Sequence, residues 1–426
     1  METCYAIDRQ RKNFREDSVL MNPVHSPFGV PADETVTRTT LAQRAADALE
    51  AICPETTLTL RSLVGFDGFV DSIIHVVDQR HSMKQDDYKR IRTIPEFAAR
   101  CGAAANRSAN IELVVTDTRF GGNGPLLSSA MGSLGSPVTY IGAVATEDDW
   151  NKVDPIYQPF VDKCESVIPL CPPGRTDALE FEDGKIMLGK PESVQLATWD
   201  RIKEVVGLEK LIETINEVRL ISVVNWTLVG GVEGIWEGLC TDVFPKLTKD
   251  RERRIFIDLS DPAKRTDDDI ARAMVKLSAM QEFMPVTLGL NLAESGRVGR
   301  VIGVEAYDDD HNRTLSEMVP EAAELIRAKL ELDCVVIHQH TGAGGANAAG
   351  ESHWFTGPYT RRPRISTGAG DHFGGGFSFA QIAGLGLGEA LAAACGVAGA
   401  YVRDAASPSR ERLIQFLRDL PVPEVH

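Results

Sequence analysis

The chain has 426 residues, 43% of them hydrophobic, and its acidic residues outnumber its basic ones by 61 to 45, for a formal charge of −16. This composition excludes an extensively disordered chain, and the charge disfavours a generic nucleic-acid binder, whose surface would carry the opposite field. No apolar run approaches the roughly 18 residues of a membrane span, and the N-terminus has no apolar signal region. We therefore expect a cytoplasmic protein that acts on a small molecule.

A regular alternation of strands and helices follows a polar, irregular segment at residues 1–34. The apolar residues from Leu41 to Ile52 recur at helical spacing. Short apolar runs predict strands at 58–66, 111–115, 137–144, 219–225, 254–260, 285–291 and 333–339. Helical patterns occupy 86–100, 199–218, 267–280 and 320–332, and the chain reads as helical from about Thr367 onward. The alternation predicts an α/β fold with a mostly parallel sheet and helices on both faces.

The segment ALEFEDGKIML (178–188) interrupts this alternation. Its Asp183-Gly184 pair stands between two short runs of alternating apolar residues, which is typical of a β-hairpin. A hairpin inserted into an α/β domain often forms a flap over the ligand site. We therefore expect one domain with a small β subdomain.

Polar residues and glycines follow most of the predicted strands. Ligands of open parallel sheets bind beyond the carboxyl ends of the strands, so these residues are expected to gather at one edge. They are Asp67, Asp71, the turn Gly121-Gly122-Asn123-Gly124, Asn225, Asp258, Asp261, Asn291, Glu294 and the segment Thr367–Asp371.

The segment Thr367-Gly368-Ala369-Gly370-Asp371, called the anion turn below, precedes an apolar helix. Its glycines leave backbone N–H groups open at a helix N-terminus, which favours binding of an anion such as phosphate. A carboxylate beside a phosphate site can orient an attacking hydroxyl and accept its proton. The alternative is a glycine-rich helix entrance that Asp371 merely caps.

Gly374–Gly376 fall inside the same helix, where each glycine costs roughly 1 kcal/mol relative to alanine. We expect them to let the helix approach either a nucleotide or the sheet closely.

Four motifs resemble those of one protein family. TGAGDHFGGGF (367–377) looks like the C-terminal signature of the ribokinase-like (PfkB) carbohydrate kinases, and FGGNGPLLSSAMGSLGSPVTYIGAV (120–144) is similar to their N-terminal Gly-Gly signature. GLNLAES (289–295) resembles their Asn-x-x-Glu motif, and VGFDGFVDSII (64–74) resembles their first strand. All four lie in the family's order, and the resemblance spans roughly residues 57 to 420.

The resemblance implies a three-layer α/β/α fold with a small β lid. The kinase domain would cover residues 56–426, with lid segments at about 71–120 and 165–195, behind an N-terminal arm and helix at 1–55. ATP would be the phosphoryl donor with Mg²⁺ as the metal, and the acceptor would be a hydroxyl, usually a primary one, of a sugar or sugar-like molecule. Many relatives form homodimers through the lid, so a homodimer is implied as well.

The resemblance also implies roles for individual residues. Asp371 would be the general base, and Gly368, Ala369 and Gly370 would form the anion hole. Substrate binding is implied for Asp71, Asp67, Gly121, Gly122, Asn123 and Asn225. Nucleotide binding is implied for Asn291, Thr367, Gly370 and Gly342, and metal binding for Asn291 and Glu294. Turn formation explains Asp67 and Asp71 as an alternative, and helix capping explains Asn291 and Glu294.

Three positions depart from the family's pattern. Ile365 stands where many relatives carry an acid that helps to bind an activating monovalent cation, so dependence on K⁺ is in doubt. Leu126 replaces an asparagine of the Gly-Gly signature, and the expected nucleotide loop contains His340. Because of these changes, the sequence does not identify the substrate.

Other functions are weaker or excluded. A nucleoside kinase and a non-catalytic sugar- or nucleotide-binding member of the family remain as alternatives. A dinucleotide-binding dehydrogenase fails because the third glycine of its fingerprint is replaced by Phe373 in one loop and Asn347 in the other. No Gly-x4-Gly-Lys-Ser/Thr sequence is present, which excludes a P-loop kinase.

Overall fold

The computed structural model describes residues 32–307 and 313–424, and its largest element is a nine-stranded sheet. In spatial order its strands are β14 (Ser352–Thr356), β13 (Gly342–Asn347), β12 (Cys334–Gln339), β11 (Val286–Asn291), β10 (Arg254–Asp258), β9 (Leu220–Val224), β1 (Ser62–Phe66), β5 (Val138–Gly142) and β6 (Ser166–Pro169). The strands from β12 to β6 pair in parallel, whereas β13 and β14 are antiparallel. The predicted mostly parallel sheet is confirmed.

Helices cover both faces of this sheet. They are α1 (Ala32–Glu50), α2 (Pro54–Thr59), α4 (Asn123–Ser133), α5 (Gln158–Val161), α6 (Trp199–Val205), α7 (Leu208–Glu217), α8 (Val232–Gly238), α9 (Asp267–Met280), α10 (Leu292–Ile302), α11 (Leu315–Leu330), α12 (Ala369–Ile382), α13 (Leu387–Asp404) and α14 (Arg410–Arg418). Helix α3 (Ile94–Gly102) instead packs in the lid. Successive strand residues point to opposite faces, so Leu63 packs with α6–α11 and Val64 with α1, α4 and α12–α14. The expected three-layer α/β/α arrangement is confirmed.

A second, five-stranded sheet forms the lid. Its strands are β2 (Phe69–Arg80), β3 (Tyr88–Arg90), β4 (Leu113–Gly121), β7 (Gly174–Phe181) and β8 (Gly184–Lys190). The predicted hairpin is present as β7 and β8, and β2 pairs with β4 and β7. Because β2 begins three residues after β1 ends, the chain passes from the large sheet into the lid through a short connection.

One strand that the alternation predicted lies in the lid, within the expected lid segment 71–120. The predicted strand 111–115 pairs with β2 as part of β4 and so lies outside the large sheet. Conversely, β6 belongs to the large sheet although it falls in the predicted lid segment 165–195. The homodimer through the lid stays a prediction. Four apolar lid side chains are 43–51% exposed, namely Leu113, Val115, Met187 and Leu188.

Helix α1 packs into the main core. Ala42, Ala45 and Leu49 are fully buried with residues of α13 and α14, and Arg38 donates to the carbonyl oxygen of Thr356 at 2.7 Å. Residues 1–31 of the predicted N-terminal arm lie outside the described residues. The domain boundary at residue 55 stays a prediction, although α1 shares one core with the kinase domain.

Two helix predictions were wrong in detail. Residues 88–90 of the predicted helix 86–100 form β3, and α3 begins only after Thr93, which caps it through a reciprocal hydrogen bond with Glu96. The predicted helix 199–218 is divided into α6 and α7 at Gly207, whose φ of +80° cannot belong to a right-handed helix.

Gly374–Gly376 let α12 approach its neighbours closely. A Cβ on Gly374 would lie 3.2 Å from the Phe256 ring, one on Gly375 would lie 2.8 Å from Ala130 Cβ, and one on Gly376 would lie 2.9 Å from Val397. The close approach is therefore to the sheet, to α4 and to α13, which brings the anion turn to its position beside α4.

Within residues 32–307 and 313–424, we find no helix that combines the length and apolar character needed to cross a membrane.

We predict that Gly375→Ala destabilises the fold. The added methyl group would also lie 2.9 Å from the Leu127 carbonyl oxygen, which belongs to the backbone and cannot move aside easily. We expect a loss of roughly 1–3 kcal/mol in the free energy of unfolding, measured by urea denaturation. The control is Gly234→Ala, since a Cβ there meets nothing within 4 Å; it should stabilise α8 by up to about 1 kcal/mol. Equal effects of the two substitutions would contradict the packing argument.

Candidate active site

The carboxyl ends of the central strands meet at one edge of the large sheet, as predicted. The Asn225 N–H, after β9, donates to the Asp258 carbonyl oxygen at 3.0 Å, and the Asp261 N–H, after β10, donates to Glu294 Oε1 at 2.7 Å. Asn225 Nδ2 donates to Asp67 Oδ2 at 2.7 Å. Residues distant in sequence thus form one continuous polar edge.

Asp67 lies inside the protein at this edge, with 0% of its surface exposed. Its carboxylate accepts the backbone N–H groups of Asn123 and Gly124, both at 2.8 Å, in addition to the Asn225 side chain. The two N–H groups belong to the first turn of α4, where the helix dipole favours a negative charge. Asp67 therefore holds the start of α4 against the end of β1.

Asp71 is half-buried in β2 and faces Gly121. A Cβ on Gly121 would lie 2.6 Å from Asp71 Oδ2, so the glycine makes room for the carboxylate. Burial raises the pKa of Asp71, while a hydrogen bond from Thr176 and the charge of Lys185 act in the opposite direction. Unlike Asp67, Asp71 keeps part of its surface open to a ligand.

The turn Gly121–Asn123 connects the substrate side of the site to the anion turn. Gly122 has a φ of +100°, and a Cβ there would lie 2.9 Å from Gly68 Cα, so this position needs glycine. The turn directs Asn123, whose Nδ2 donates to Asp371 Oδ1 at 2.7 Å. The structure thus brings together the two motifs that carry the strongest sequence signal.

The anion turn has the geometry expected of an anion-binding helix N-terminus. Gly368 is left-handed with a φ of +86°, α12 starts at Ala369, and Asp371 lies half-buried in its first turn. The N–H groups of Gly370 and Asp371 come too early in the helix to have intrahelical acceptors. N–H groups in this position are available as donors to an anion.

Carboxylates face one another around this turn. Burial raises the pKa of Asp371 well above its ordinary value, the charges of Asp258 and Asp67 add to this, and the Asn123 hydrogen bond opposes it. Burial likewise raises the pKa of Glu294, with the Asp258 charge as the next cause. In the described part of the chain, no lysine or arginine forms an ion pair with Asp258, Glu294 or Asp371. Such a site favours binding of a cation.

Strained backbone accompanies these carboxylates. Asn225, Ser260 and Asp261 have φ values of 62°, 60° and 58°, which side chains other than glycine rarely adopt. All three lie just beyond the carboxyl ends of β9 and β10. Strain of this kind persists where the surrounding structure enforces it and is common at functional sites.

Asn291 and Glu294 form a reciprocal cap at the start of α10. Asn291 Oδ1 accepts the Glu294 N–H at 2.9 Å, and Glu294 Oε2 accepts the Asn291 N–H at 2.8 Å. Glu294 is only 6% exposed, and its other oxygen holds the Asp261 N–H. The capping alternative is thus realised, and the metal role remains a separate proposal.

Gly342 lies in β13 rather than in an open loop. It pairs with Gln339 and Thr356, and a Cβ there would lie 2.5 Å from the Phe355 carbonyl oxygen. The glycine thus allows close pairing within the antiparallel edge of the sheet. Its predicted contact with nucleotide stays a prediction.

Lys185 is a residue of the site that the sequence pattern did not indicate. It lies on β8 in the lid, and its Nζ is 3.5 Å from Thr367 Oγ1 in the anion turn and 3.0 Å from Glu180 Oε1. It therefore places a positive charge beside the predicted phosphate site. No local signal could have revealed this contact, because 182 residues separate the two partners.

Comparisons with known proteins agree with this geometry. A family model described as prokaryotic ketohexokinase matches residues 37–420. The ketohexokinase of Haloferax volcanii is 29% identical over 391 residues, which cover 90% of this chain and 97% of that protein.

Two ribokinase structures share the fold. That of Cryptococcus neoformans, in complex with ADP, has a TM-score of 0.54 at 15% identity and covers 83% of this chain and 99% of its own. That of Arabidopsis thaliana, complexed with ribose and ATP, has a TM-score of 0.54 at 13% identity and covers 84% and 98%. At these identities the likeness shows the fold alone, and it confirms the ribokinase-like architecture.

We predict that Asp258→Asn stabilises the folded protein at neutral pH. Burial, reinforced by the Asp67 charge and opposed by hydrogen bonds from Ser260, raises the pKa of Asp258 to about 6. The folded protein therefore holds this proton after the unfolded chain has lost it, and stability falls as the pH rises from about 4 through about 6. The substitution removes this loss and keeps the oxygen that accepts from Ser260.

The measurement is urea denaturation without divalent cations at pH 4 and pH 8. We expect the variant to gain about 1–3 kcal/mol at pH 8 and little at pH 4. Asp154→Asn, at a residue that caps a short turn through the Ile156 N–H at 3.0 Å, is the control. A variant that is less stable than the wild type at pH 8 would show that the carboxylate charge is compensated.

Proposed function

Because the chain belongs to the prokaryotic ketohexokinase family and is therefore a carbohydrate kinase, we propose that it phosphorylates a ketohexose with ATP, using Asp371 as the general base. The observation that carries this proposal is the 2.7 Å hydrogen bond between Asn123 Nδ2 and Asp371 Oδ1. This bond joins the turn expected to contact the sugar to the turn expected to bind phosphate. The acceptor hydroxyl and the γ-phosphoryl group would meet there.

In the proposed reaction, an acceptor hydroxyl of the sugar attacks the γ-phosphorus of ATP. The new O–P bond forms as the bond from the γ-phosphorus to the β,γ-bridging oxygen breaks and ADP leaves. The hydroxyl proton passes to the Asp371 carboxylate. The raised pKa of Asp371 supports this role, since a more basic carboxylate holds the proton more readily.

Charge stabilisation is assigned to the anion turn. The N–H groups of Gly368, Ala369 and Gly370 would donate to the oxygens of the transferring phosphoryl group. Donors that are fixed before the reaction cost no reorganisation when charge develops, which is why such groups can account for large rate effects. Thr367, with Lys185 beside it, would add a hydroxyl and a positive charge at the same place.

Sugar binding is assigned to Asp71 and the Gly121–Asn123 turn. Asp71 is open on one side, and its carboxylate can accept hydrogen bonds from two sugar hydroxyls. Asp67 and Asn225 are tied to each other and to the start of α4, so their proposed part is to support this wall of the pocket. Leu126 gives the wall near the anion turn an apolar surface: a Cβ on Gly368 would lie 2.9 Å from Leu126 Cδ1.

The carboxylate and amide oxygens of Asp258, Glu294 and Asn291 fit Mg²⁺, which prefers hard oxygen ligands. The raised pKa of Glu294 agrees, because a nearby cation would relieve the unfavourable charge. When bound, the ion would offset the negative charge of the nucleotide phosphates. The protein would hold the oxygens of Asn291 and Glu294 at the cap of α10 and those of Asp258 at the end of β10, from which they could act directly or through water.

A coupled assay of ADP release tests the proposal. ATP, Mg²⁺ and a panel of ketohexoses, aldohexoses, sugar acids, polyols and nucleosides are tested, and we expect turnover with a ketohexose. Asp371→Asn should lower kcat by about 10²–10⁴-fold, since it removes the proton acceptor while keeping the side chain's shape. Asp404→Asn, at a residue paired with Arg412 at 2.9 Å, is the control.

The outcomes separate the alternatives. Turnover restricted to nucleosides would identify a nucleoside kinase. Ligand-induced thermal stabilisation without any turnover would indicate a binding protein, and full activity of Asp371→Asn would reject Asp371 as the base.

We also predict that the kinase does not require a monovalent cation. The half-buried Ile365 has no charge or oxygen ligand on its side chain to attract K⁺. The rate should therefore be about equal in potassium chloride and in tetramethylammonium chloride of the same ionic strength. Strong activation by potassium would contradict this and would place the ion on other ligands.

A further inference from the structure

Two side chains lie directly behind the anion turn and contact its carbonyl oxygens. His372 is 0% exposed, and its Nδ1 lies 2.8 Å from the Gly368 carbonyl oxygen. The Tyr401 hydroxyl, from α13, donates to the Thr367 carbonyl oxygen at 2.9 Å. The two rings stack with centroids 3.5 Å apart and planes 15° apart, so they form one unit, called the His372–Tyr401 pair below.

The hydrogen bonds of His372 define its tautomer. A carbonyl oxygen can only accept, so Nδ1 carries the proton and donates to Gly368. Nε2 then accepts from the Ser407 hydroxyl at 2.8 Å. Burial lowers the pKa of His372 to about 3, so the ring is neutral and keeps this tautomer under ordinary conditions.

These contacts determine where the N–H groups of the anion turn point. A peptide unit is planar, so its carbonyl oxygen and its N–H point in opposite directions and rotate together. The Thr367 carbonyl shares a peptide unit with the Gly368 N–H, and the Gly368 carbonyl shares one with the Ala369 N–H. Holding the two carbonyl oxygens from behind therefore sets the direction of both N–H groups, of which the Gly368 N–H is the one that we expect to face the proposed phosphate site.

The helix itself holds one of the two carbonyl oxygens, since the Gly368 carbonyl oxygen also accepts the backbone N–H of His372 at 3.0 Å. Gly368 lacks a Cβ and can rotate through a wide range of φ and ψ. The hydrogen bond within the turn, from the Ala369 N–H to the Ser366 carbonyl oxygen, is long at 3.3 Å. The His372–Tyr401 pair therefore adds a second hydrogen bond at the Gly368 carbonyl oxygen and supplies one at the Thr367 carbonyl oxygen.

We propose that His372 and Tyr401 are positioning residues that aim the backbone donors of the anion turn at the transferring phosphoryl group. This inference rests on the proposed kinase reaction and adds to it a pair of residues that touch neither substrate. Misaimed donors weaken the stabilisation of charge that develops in the transition state, and they affect ground-state binding of the sugar less. The pair should therefore matter for kcat more than for the KM of the sugar.

Two substitutions of His372 separate its two hydrogen bonds. The amide nitrogen of asparagine reaches about as far as Nδ1, so His372→Asn can keep the bond to Gly368 and loses the one to Ser407. The amide of glutamine reaches about as far as Nε2, so His372→Gln can keep the bond to Ser407 and loses the one to Gly368. Tyr401→Phe removes only the hydroxyl and keeps the stacked ring.

The experiment measures kcat and KM of the phosphorylated sugar for these variants, together with their melting temperatures. We expect His372→Gln to lower kcat about tenfold or more, because a misaimed donor resembles a lost one. His372→Asn should stay within a few-fold of the wild type, and Tyr401→Phe should lower kcat with little change in KM. Ser378→Ala is the control: Ser378 is a buried serine of α12 whose hydroxyl has no hydrogen-bond partner among the described residues, and its kcat should not change.

The possible outcomes distinguish a failure of this inference from a failure of the proposed function. Equal kcat values for the asparagine and glutamine variants, or a lower value for asparagine, would overturn the inference while leaving the kinase activity of the wild type in place. If a His372 variant does not fold, Tyr401→Phe decides, and an unchanged kcat there overturns the inference. A wild type that phosphorylates no sugar in the panel would overturn the proposed function and this inference together.

Discussion

The site depends on one buried carboxylate. Asp67 is removed from water and keeps its place because three donors converge on it from the start of α4 and the end of β9. A buried charge without such partners would cost several kcal/mol. Since these contacts set the start of α4, they also set Asn123, and through its side chain they set Asp371. The residues expected to bind the sugar and the expected base, Asp371, are therefore both positioned by Asp67.

Several features at the same edge of the sheet reduce the stability of the folded protein. The charge of Asp258 raises the pKa values of Glu294 and Asp371 in addition to the effect of burial, and three residues nearby adopt left-handed backbone. The rest of the fold tolerates this because two continuous apolar cores enclose the large sheet. Because this negative charge lies where a cation would bind, binding of the cation would relieve the repulsion.

Sequence patterns predicted the local features of this molecule well where one physical signal dominated. Runs of apolar residues predicted six of the nine strands of the large sheet, β1, β5 and β9–β12. Turns that need glycine predicted the hairpin at Asp183-Gly184 and the helix that begins in the anion turn. The prediction failed for β3, whose three residues have no strong pattern and are ordered by pairing with β2. It also gave no sign that Gly342 would lie within a strand, because glycine ordinarily disfavours strands.

The sequence alone determined the order of strands and helices, the anion turn with Asp371 at the start of its helix, and the chemical character of the strand ends. These features depend on residues within a few positions of one another, so spacing and residue type reveal them. Only the tertiary structure decided which distant side chains meet: Asn123 with Asp371 across 248 residues, Lys185 with Thr367 across 182, and Tyr401 with Thr367 across 34. Those contacts arise from how the helices and the lid pack on the sheet, and packing is a property of the whole chain.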